Sequence, residues 1–330
     1  MSMPPHVTYR PARDTDVERT YAVFLEAADD LNARVGRPPR AGTGAPPHRA
    51  LALRRSCVRH DGERFWVAEA DGAVVGFAIA ILRDDVWHLA ALHVQPAHQG
   101  RGIGSELMRR SMAGAGPTTA LTVLTDAVNP ISNAIYMRAG MLFQDAMLTF
   151  DGPSVAPIRD EGDEPKTTDK PKPTDDGPTT ADHPAARPFE QVALSRPRDH
   201  AVLAALDLAS IGFARSVDHD LWGSIDGLKG VLLVRDGVVR GYAYVAADGA
   251  IGPLAVLDPA ELGPALDVAA AMASEAGAAS IHVRVPGSAR VAAEWLVARG
   301  ARLSGIGLFL ASRPVGRLDR YITSGGDAFY

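Results

Sequence analysis

Apolar positions along the chain form two series in which helical and strand periods alternate, separated by a stretch with no period at all. Thr8 to Arg13 closes a short strand. From Asp14 to Val35 the apolar residues then recur at helical spacing behind an Asp cap. An irregular stretch follows. From Arg64 the period falls to two: Phe65 to Ala70, a turn at Asp71-Gly72, Val74 to Leu82, and Val86 to Val94 read as three antiparallel strands. Pro96 stops the third. Gly102 to Met112 reads as a helix, Ala120 to Leu124 as a strand, Ile131 to Ala139 as a helix ended by Gly140, and Met141 to Phe150 as a strand.

The second series repeats this order. Phe189 to Leu194 is a predicted strand, Asp199 to Phe213 a helix, and Gly230 to Arg235 with Val238 to Val245 a hairpin around Asp236-Gly237. Ala250 to Leu257, Ala260 to Ala276, Ser280 to Val285, Ala289 to Arg299 and Ala301 to Ala311 complete it. Two diverged copies of one α+β unit are expected, one domain over 1–150 and another over 188–330. Between them, residues 151–187 read as a linker. The stretch 151–188 holds eight of the 24 prolines, interleaved with Asp, Glu, Thr and Lys, and has too little apolar surface to fold. Three of the four lysines (Lys166, Lys170 and Lys172) fall there as well.

Composition narrows the functions open to such a chain. A formal net charge of -5 gives no support to nonspecific nucleic-acid binding. No apolar run reaches the length of a membrane span, and Met1 to Arg10 lacks the apolar core of a signal peptide. Cys57 is the single cysteine, so no intrachain disulfide can form. A cytoplasmic protein with no nucleic-acid or membrane partner is the expectation; a homodimer is the default symmetric assembly.

The chemistry concentrates at Gln99-Gly100-Arg101-Gly102-Ile103-Gly104-Ser105, between the strand ending at Val94 and the helix from Gly102. A glycine turn opening a helix presents unpaired backbone N–H groups at the positive end of the helix dipole, which suits a pyrophosphate. Ser105 stands where a dinucleotide fingerprint would need glycine, and no Gly-x-x-x-x-Gly-Lys sequence occurs. With Leu92-His93-Val94-Gln95-Pro96 before it, the turn resembles the acyl-CoA signature Gln/Arg-x-x-Gly-x-Gly/Ala of the GNAT superfamily of N-acetyltransferases. A second stretch, Asn129 to Gly140, is similar to that family's Asn-x-x-Ala-x-x-Leu-Tyr-x-x-x-Gly-Phe signature, with Asn129, Tyr136 and Gly140 in step and Ser132 in place of alanine.

The resemblance implies two tandem GNAT-like domains, each a mixed, mostly antiparallel twisted sheet flanked by helices. It also implies acetyl-CoA as acyl donor, its pyrophosphate on Gln99 to Ser105 and its pantetheine arm against Leu92, His93, Val94, Asn129 and Ser132, where the fourth strand splays from the fifth. Tyr136 would protonate the departing thiolate while a primary amine of a small molecule attacks directly in a ternary complex. A general base is less legible. His88 and His93 lie on the right strand; five residues apart, they are expected on opposite faces, and His88 is the candidate. Glu26, Asp29 and Asp30 share a helix face, His98 is expected to face solvent, and a water relay is equally open. Metal-ligand spacing is absent.

The second copy has lost the motif: Glu261 and Pro264 occupy the cradle, Asp258 adds negative charge, and Leu296 stands where Tyr136 stands in the first. It is expected to lack a CoA site and to complete a substrate pocket or an interface. Arg37 to Arg49 is a candidate acceptor lid, and the tail Asp319 to Tyr330 is expected to pack back toward the acceptor cleft. The rival reading is a non-catalytic acyl-CoA sensor or partner-binding pseudo-acetyltransferase, which would use the cradle but not Tyr136.

Overall fold

The computed structural model describes residues 6–39, 48–154, 188–195 and 197–324. The first series runs β1 (Val7–Pro11), α1 (Val17–Arg34), α2 (His48–His60), β2 (Phe65–Ala70), β3 (Ala73–Arg83), β4 (Val86–Val94), α3 (Ile103–Ser111), β5 (Ala120–Asp126), α4 (Pro130–Arg138) and β6 (Leu142–Pro153). The second repeats it element for element: β7 (Glu190–Ala193), α5 (His200–Ser210), α6 (Ser216–Ser224), β8 (Leu228–Arg235), β9 (Val238–Ala246), β10 (Ala250–Val256), α7 (Leu262–Glu275), β11 (Ser280–Pro286), α8 (Arg290–Ala298) and β12 (Arg302–Ala311), followed by β13 (Tyr321–Ile322). Both predicted hairpin turns form in the same way: Asp71-Gly72 and Asp236-Gly237 each take positive φ at both residues, the type I′ geometry that matches strand twist.

All described strands join one sheet in the order β1-β2-β3-β4-β5-β12-β6-β11-β10-β9-β8-β7, with β13 beside β10. Neighbours are antiparallel except β4–β5 and β10–β11. The two copies are not laid side by side. Each gives its last strand to the other: β12 pairs with β5 of the first series, β6 pairs with β11 of the second, and β6 and β12 pair with each other along the middle. Asp151, Gly152 and Pro153, predicted to open the linker, belong to β6 and pair with His282, Ile281 and Ser280. The rest of the predicted linker, residues 155–187, lies outside the described residues, as do most of the candidate lid (40–47) and the last six residues of the tail.

The largest apolar cluster spans both copies, taking Phe65, Phe77, Ile79 and Met147 from one and Trp222, Tyr242, Tyr244, Phe309 and Tyr321 from the other. Beside it, Arg83 of β3 makes paired hydrogen bonds of 2.8 and 3.0 Å to Asp218 of α6 and of 3.0 and 3.1 Å to Asp61. Cys57 is buried, and burial pushes its thiol pKa up, the state of an inert core thiol.

Two helices escaped the sequence pattern. Helix α2 falls in the stretch read as irregular because it buries Arg54 and Ser56 beside Leu53 and Cys57, so its inward face is not apolar in sequence. Likewise α6 buries Asp218 and His219 beside Leu221 and Trp222. Polar groups paid into a buried network erase the period on which such readings depend.

Candidate functional site

Strand β4 follows β3 in register from Val86 to Leu89 and again from Ala91 to Val94, with a bulge at Ala90 between. On its other edge β4 pairs with β5 only from Val86 to Leu89. On its opposite edge β5 pairs with β12 from Thr122 to Asp126, so past Val123 it is held by β12 alone, Thr125 opposite Leu308 and Asp126 opposite Gly307. The two parallel strands therefore part into a fork, and a cleft of about 880 Å³ opens in it. The cleft is lined by Leu92, His93 and Val94 on one side, Val123 to Asp126 on the other, and Asn129, Ser132 and Tyr136 from α4.

The glycine turn closes one end. Gly100 and Gly102 take φ of 76° and 78°, conformations that a side chain would strain. No atom lies within 4 Å of where a Cβ would stand at either, so the turn's surface is open to a ligand. Gly102 leads directly into α3, which leaves the first-turn N–H groups of Ile103, Gly104 and Ser105 directed at the cleft end. Gln99 pins the turn to the strand: its Nε2 donates to the Val94 carbonyl at 2.9 Å, and its Oε1 accepts from Arg34 at 3.2 Å. Of the predicted cradle, Gln99, Gly100, Gly102, Ile103, Gly104 and Ser105 line the cleft. Arg101 does not join them; its guanidinium donates to the Ala97 carbonyl and is exposed. These residues fit a diphosphate held by backbone amides.

Helix α4 supplies the other half of the site. Asn129 caps it, accepting from the Ser132 N–H at 3.2 Å, with Pro130 at the first helical position. Tyr136, one turn beyond Ser132, is 4% exposed and still lines the cleft. Burial pushes its pKa up to about 12, opposed in part by a hydrogen bond from Ser132, so its proton is retained through the neutral range. Asn133, which the sequence reading passed over, anchors α4 to the fork: its Oδ1 accepts from Thr125 at 3.0 Å and its amide donates to the Asp126 carbonyl.

The histidines fall differently from expectation. The bulge at Ala90 adds one residue to β4, so His88 and His93 stand opposite Ile81 and Phe77, which are four apart on β3 and share a face. Both histidines therefore point to the α1 side of the sheet. They do not both reach the cleft. His93 lines it, edge-on to Phe24 with ring centroids 5.0 Å apart. His88 is 2% exposed and away from it, its Nδ1 3.1 Å from Thr122 Oγ1; desolvation lowers its pKa to about 3 and keeps it neutral. His98 lines the cleft as well, against the expectation that it faces solvent, and its buried Nδ1 has no hydrogen-bond partner in the protein. Of the three candidate carboxylates on α1, Asp30 lines the cleft and is paired with Arg34 at 2.6 Å, while Glu26 is turned to Gln95 and Arg19.

At its far end the cleft is closed by the second copy. Ser304, Gly305, Ile306 and Gly307 of β12 and Arg284 of β11 line it beside Thr149 of β6, opposite Leu31 and Arg37 from the α1 side. Arg37 is bound to Asp126 at 2.7 Å. The exchanged strand β12 thus forms a wall that the first copy lacks. In the second copy the corresponding cradle is gone. Glu261 is buried and bound to Arg235 and Arg240 at 2.9 and 3.0 Å, and Asp258 caps a short turn by accepting from the Ala260 N–H. Leu296 matches Tyr136 in place, since its carbonyl accepts from Ala301 as that of Tyr136 accepts from Met141, but it is an apolar core residue. Among the described residues no His, Cys, Asp and Glu group has the makings of a metal site.

A forked pair of parallel strands, a glycine turn opening a helix, and a helix carrying a protonated tyrosine meet at this one cleft. Residues 32–141 match the Acetyltransferase (GNAT) family. An L-2,4-diaminobutyric acid acetyltransferase of Nocardia farcinica is 37% identical over 78 residues, a match that spans 21% of this chain and 39% of that enzyme. Among solved structures, a Pyrococcus horikoshii protein classed as an acetyltransferase superposes with a TM-score of 0.70 at 15% identity, over 98% of this chain and 96% of its own. A GCN5-related N-acetyltransferase from Sphaerobacter thermophilus does so at 0.57 and 16%, over 97% and 100%. A tandem GNAT protein of the clavulanic acid biosynthesis pathway does so at 0.53 and 16%, over 94% and 99%. At these identities the structures establish the fold alone. Residues 32–141 are thus similar to the GNAT acetyltransferases, proteins that use acyl-CoA as cosubstrate, and the whole described chain shares the fold of tandem GNAT structures.

Proposed function

We propose that this protein is an N-acetyltransferase that moves an acetyl group from acetyl-CoA to a primary amine of a small molecule. The observation that carries this reading is the convergence of the open glycine turn and the protonated Tyr136 on one cleft. Acetyl-CoA supplies the acyl group as an activated thioester. The amides of Ile103, Gly104 and Ser105 bind the diphosphate, and the stretch of β4 from Ala91 to Val94 that β5 does not pair receives the pantetheine arm as an added strand would. The acceptor amine attacks the thioester carbonyl, and Tyr136 gives its proton to the departing thiolate. His93, which faces the cleft, is assigned the base that takes the ammonium proton, in place of His88.

Arg37, Asp126 and Arg284 give the acceptor end both signs of charge, an environment for a compact polar amine. The Nocardia relative acts on a diamino acid, so amino acids bearing a second amine head the screen. The test is calorimetric titration of acetyl-CoA into the intact protein and into Gly102→Glu. Binding at one site per chain is expected, lost in the variant, whose carboxylate meets the diphosphate and whose φ is strained. A folded protein that binds no acetyl-CoA would overturn the proposal.

A further inference from the structure

The fork recurs in the second copy, and there it is filled by the chain itself. Strand β10 pairs with β11 only at Ala250 opposite His282 and Ile251 opposite Val283, then breaks register before Leu254, as β4 does at Ala90. Where the first copy opens its cleft, β13 lies against β10, with Leu254 opposite Ile322 and Ala255 opposite Tyr321. Its continuation reaches the other prong: the Thr323 N–H and hydroxyl both donate to the Arg284 carbonyl at 3.2 Å. Tyr321, Ile322 and Thr323 are fully buried. Beneath the strand, the Arg215 guanidinium lies 5.2 Å from the Tyr321 ring centroid and is fixed by Asp207 and the Tyr242 hydroxyl. Gly252 makes room for the strand: a Cβ there would stand 2.0 Å from the Thr323 carbonyl oxygen.

We propose that this second fork is a strand-binding groove whose ligand is an extended peptide backbone and whose resident occupant is the chain's own C-terminal strand, and that the strand thereby positions Arg284 at the acceptor end of the catalytic cleft. A pantetheine arm and a peptide both offer amide N–H and C=O groups to a free strand edge, so a fork shaped for the first is chemically suited to the second. Conversion needs the phosphate turn gone, and Glu261 with its two arginines has replaced it. Arg284 is the link between the sites, because its carbonyl receives Thr323 while its side chain lines the cleft.

The groove stands on its own observations; the role of Arg284 in acceptor binding rests on the function proposed above. Hydrogen exchange on the full chain tests the groove without any assay of activity. The Thr323 amide is expected to exchange at least about 100-fold more slowly than the turn amide of Gly316; exchange at the turn's rate would overturn the groove, as would titration of two acetyl-CoA molecules per chain. Gly252→Ala in the full chain is expected to remove that protection from 321–324 while β8 and β9 keep theirs, and protection left unchanged would count against the groove. In the same variant the acceptor KM is expected to rise about tenfold with acetyl-CoA affinity held within about twofold; an unchanged KM would overturn the positioning of Arg284. Should the variant not fold, exchange at Thr323 in the parent chain still decides.

Discussion

At the scale of single residues, burial sets the proton inventory of the site. Tyr136 sits against the apolar cluster of Trp87, Leu89 and Leu310, and its raised pKa keeps the phenol protonated and neutral at every physiological pH, the state a proton donor needs. Tyr136→Phe is expected to lower kcat by about 100-fold or more while leaving acetyl-CoA affinity unchanged, measured by steady-state kinetics beside calorimetry. An acyl-CoA sensor would keep its ligand response in that variant. His88 carries the opposite sign. Its folded pKa of about 3 lies below the unfolded value of 6.5, so the unfolded chain takes up a proton that the folded chain refuses. Stability is complete above about pH 6.5 and falls as pH drops toward about 3, by up to about 1.4 kcal/mol per pH unit. Burial lowers His219 in the same direction. Denaturant melts between pH 7 and 5 are expected to show a shallower loss in His88→Gln than in the parent chain. The identity of Tyr136 as a candidate acid was legible in the Asn129 to Gly140 signature. The orientation of the histidines was not, because counting by twos assumes an unbroken strand and one extra residue at Ala90 reverses every face beyond it.

At the scale of elements, local signals and the observed structure agree wherever the chain's own chemistry decides the ending. The glycine turn opens α3, Asn129-Pro130 opens α4, and Gly140 closes it at φ 86°. Asn129→Ala is expected to cost about 1 kcal/mol through loss of the bond to the Ser132 N–H, read as a lower denaturation midpoint, and to weaken acetyl-CoA binding because α4 carries one wall of the cleft. Elements whose inward faces hold charge behave otherwise. The Arg54 side chain of α2 packs over Tyr21, Phe24 and Phe77, and Asp218 of α6 is held by Arg83. Their partners lie far away in sequence, so no window of residues reveals why a charged position is buried.

At the scale of the whole molecule, the exchange of β6 and β12 makes the two copies mutually dependent. Without residues 188–330, β5 has an open edge and β6 no partner on either side. A fragment of residues 1–154 is therefore expected to be insoluble or self-associated and not to bind acetyl-CoA; co-expression with residues 188–330 is expected to restore a one-to-one complex that binds it, read by size exclusion and calorimetry. A fragment that is monomeric and binds acetyl-CoA alone would show that the exchanged strands are dispensable. The sequence by itself determined the repeated order of elements, the hairpin turns, the glycine turn and its loss from the second copy, since each is written in periodicity or in glycine, proline and cap residues close together in the chain. Only the tertiary structure decided which strand closes which copy, which histidine reaches the cleft, and that β13 fills the second fork. Those outcomes depend on backbone hydrogen bonds, which any sequence can make, and on burial shared between residues far apart in the chain.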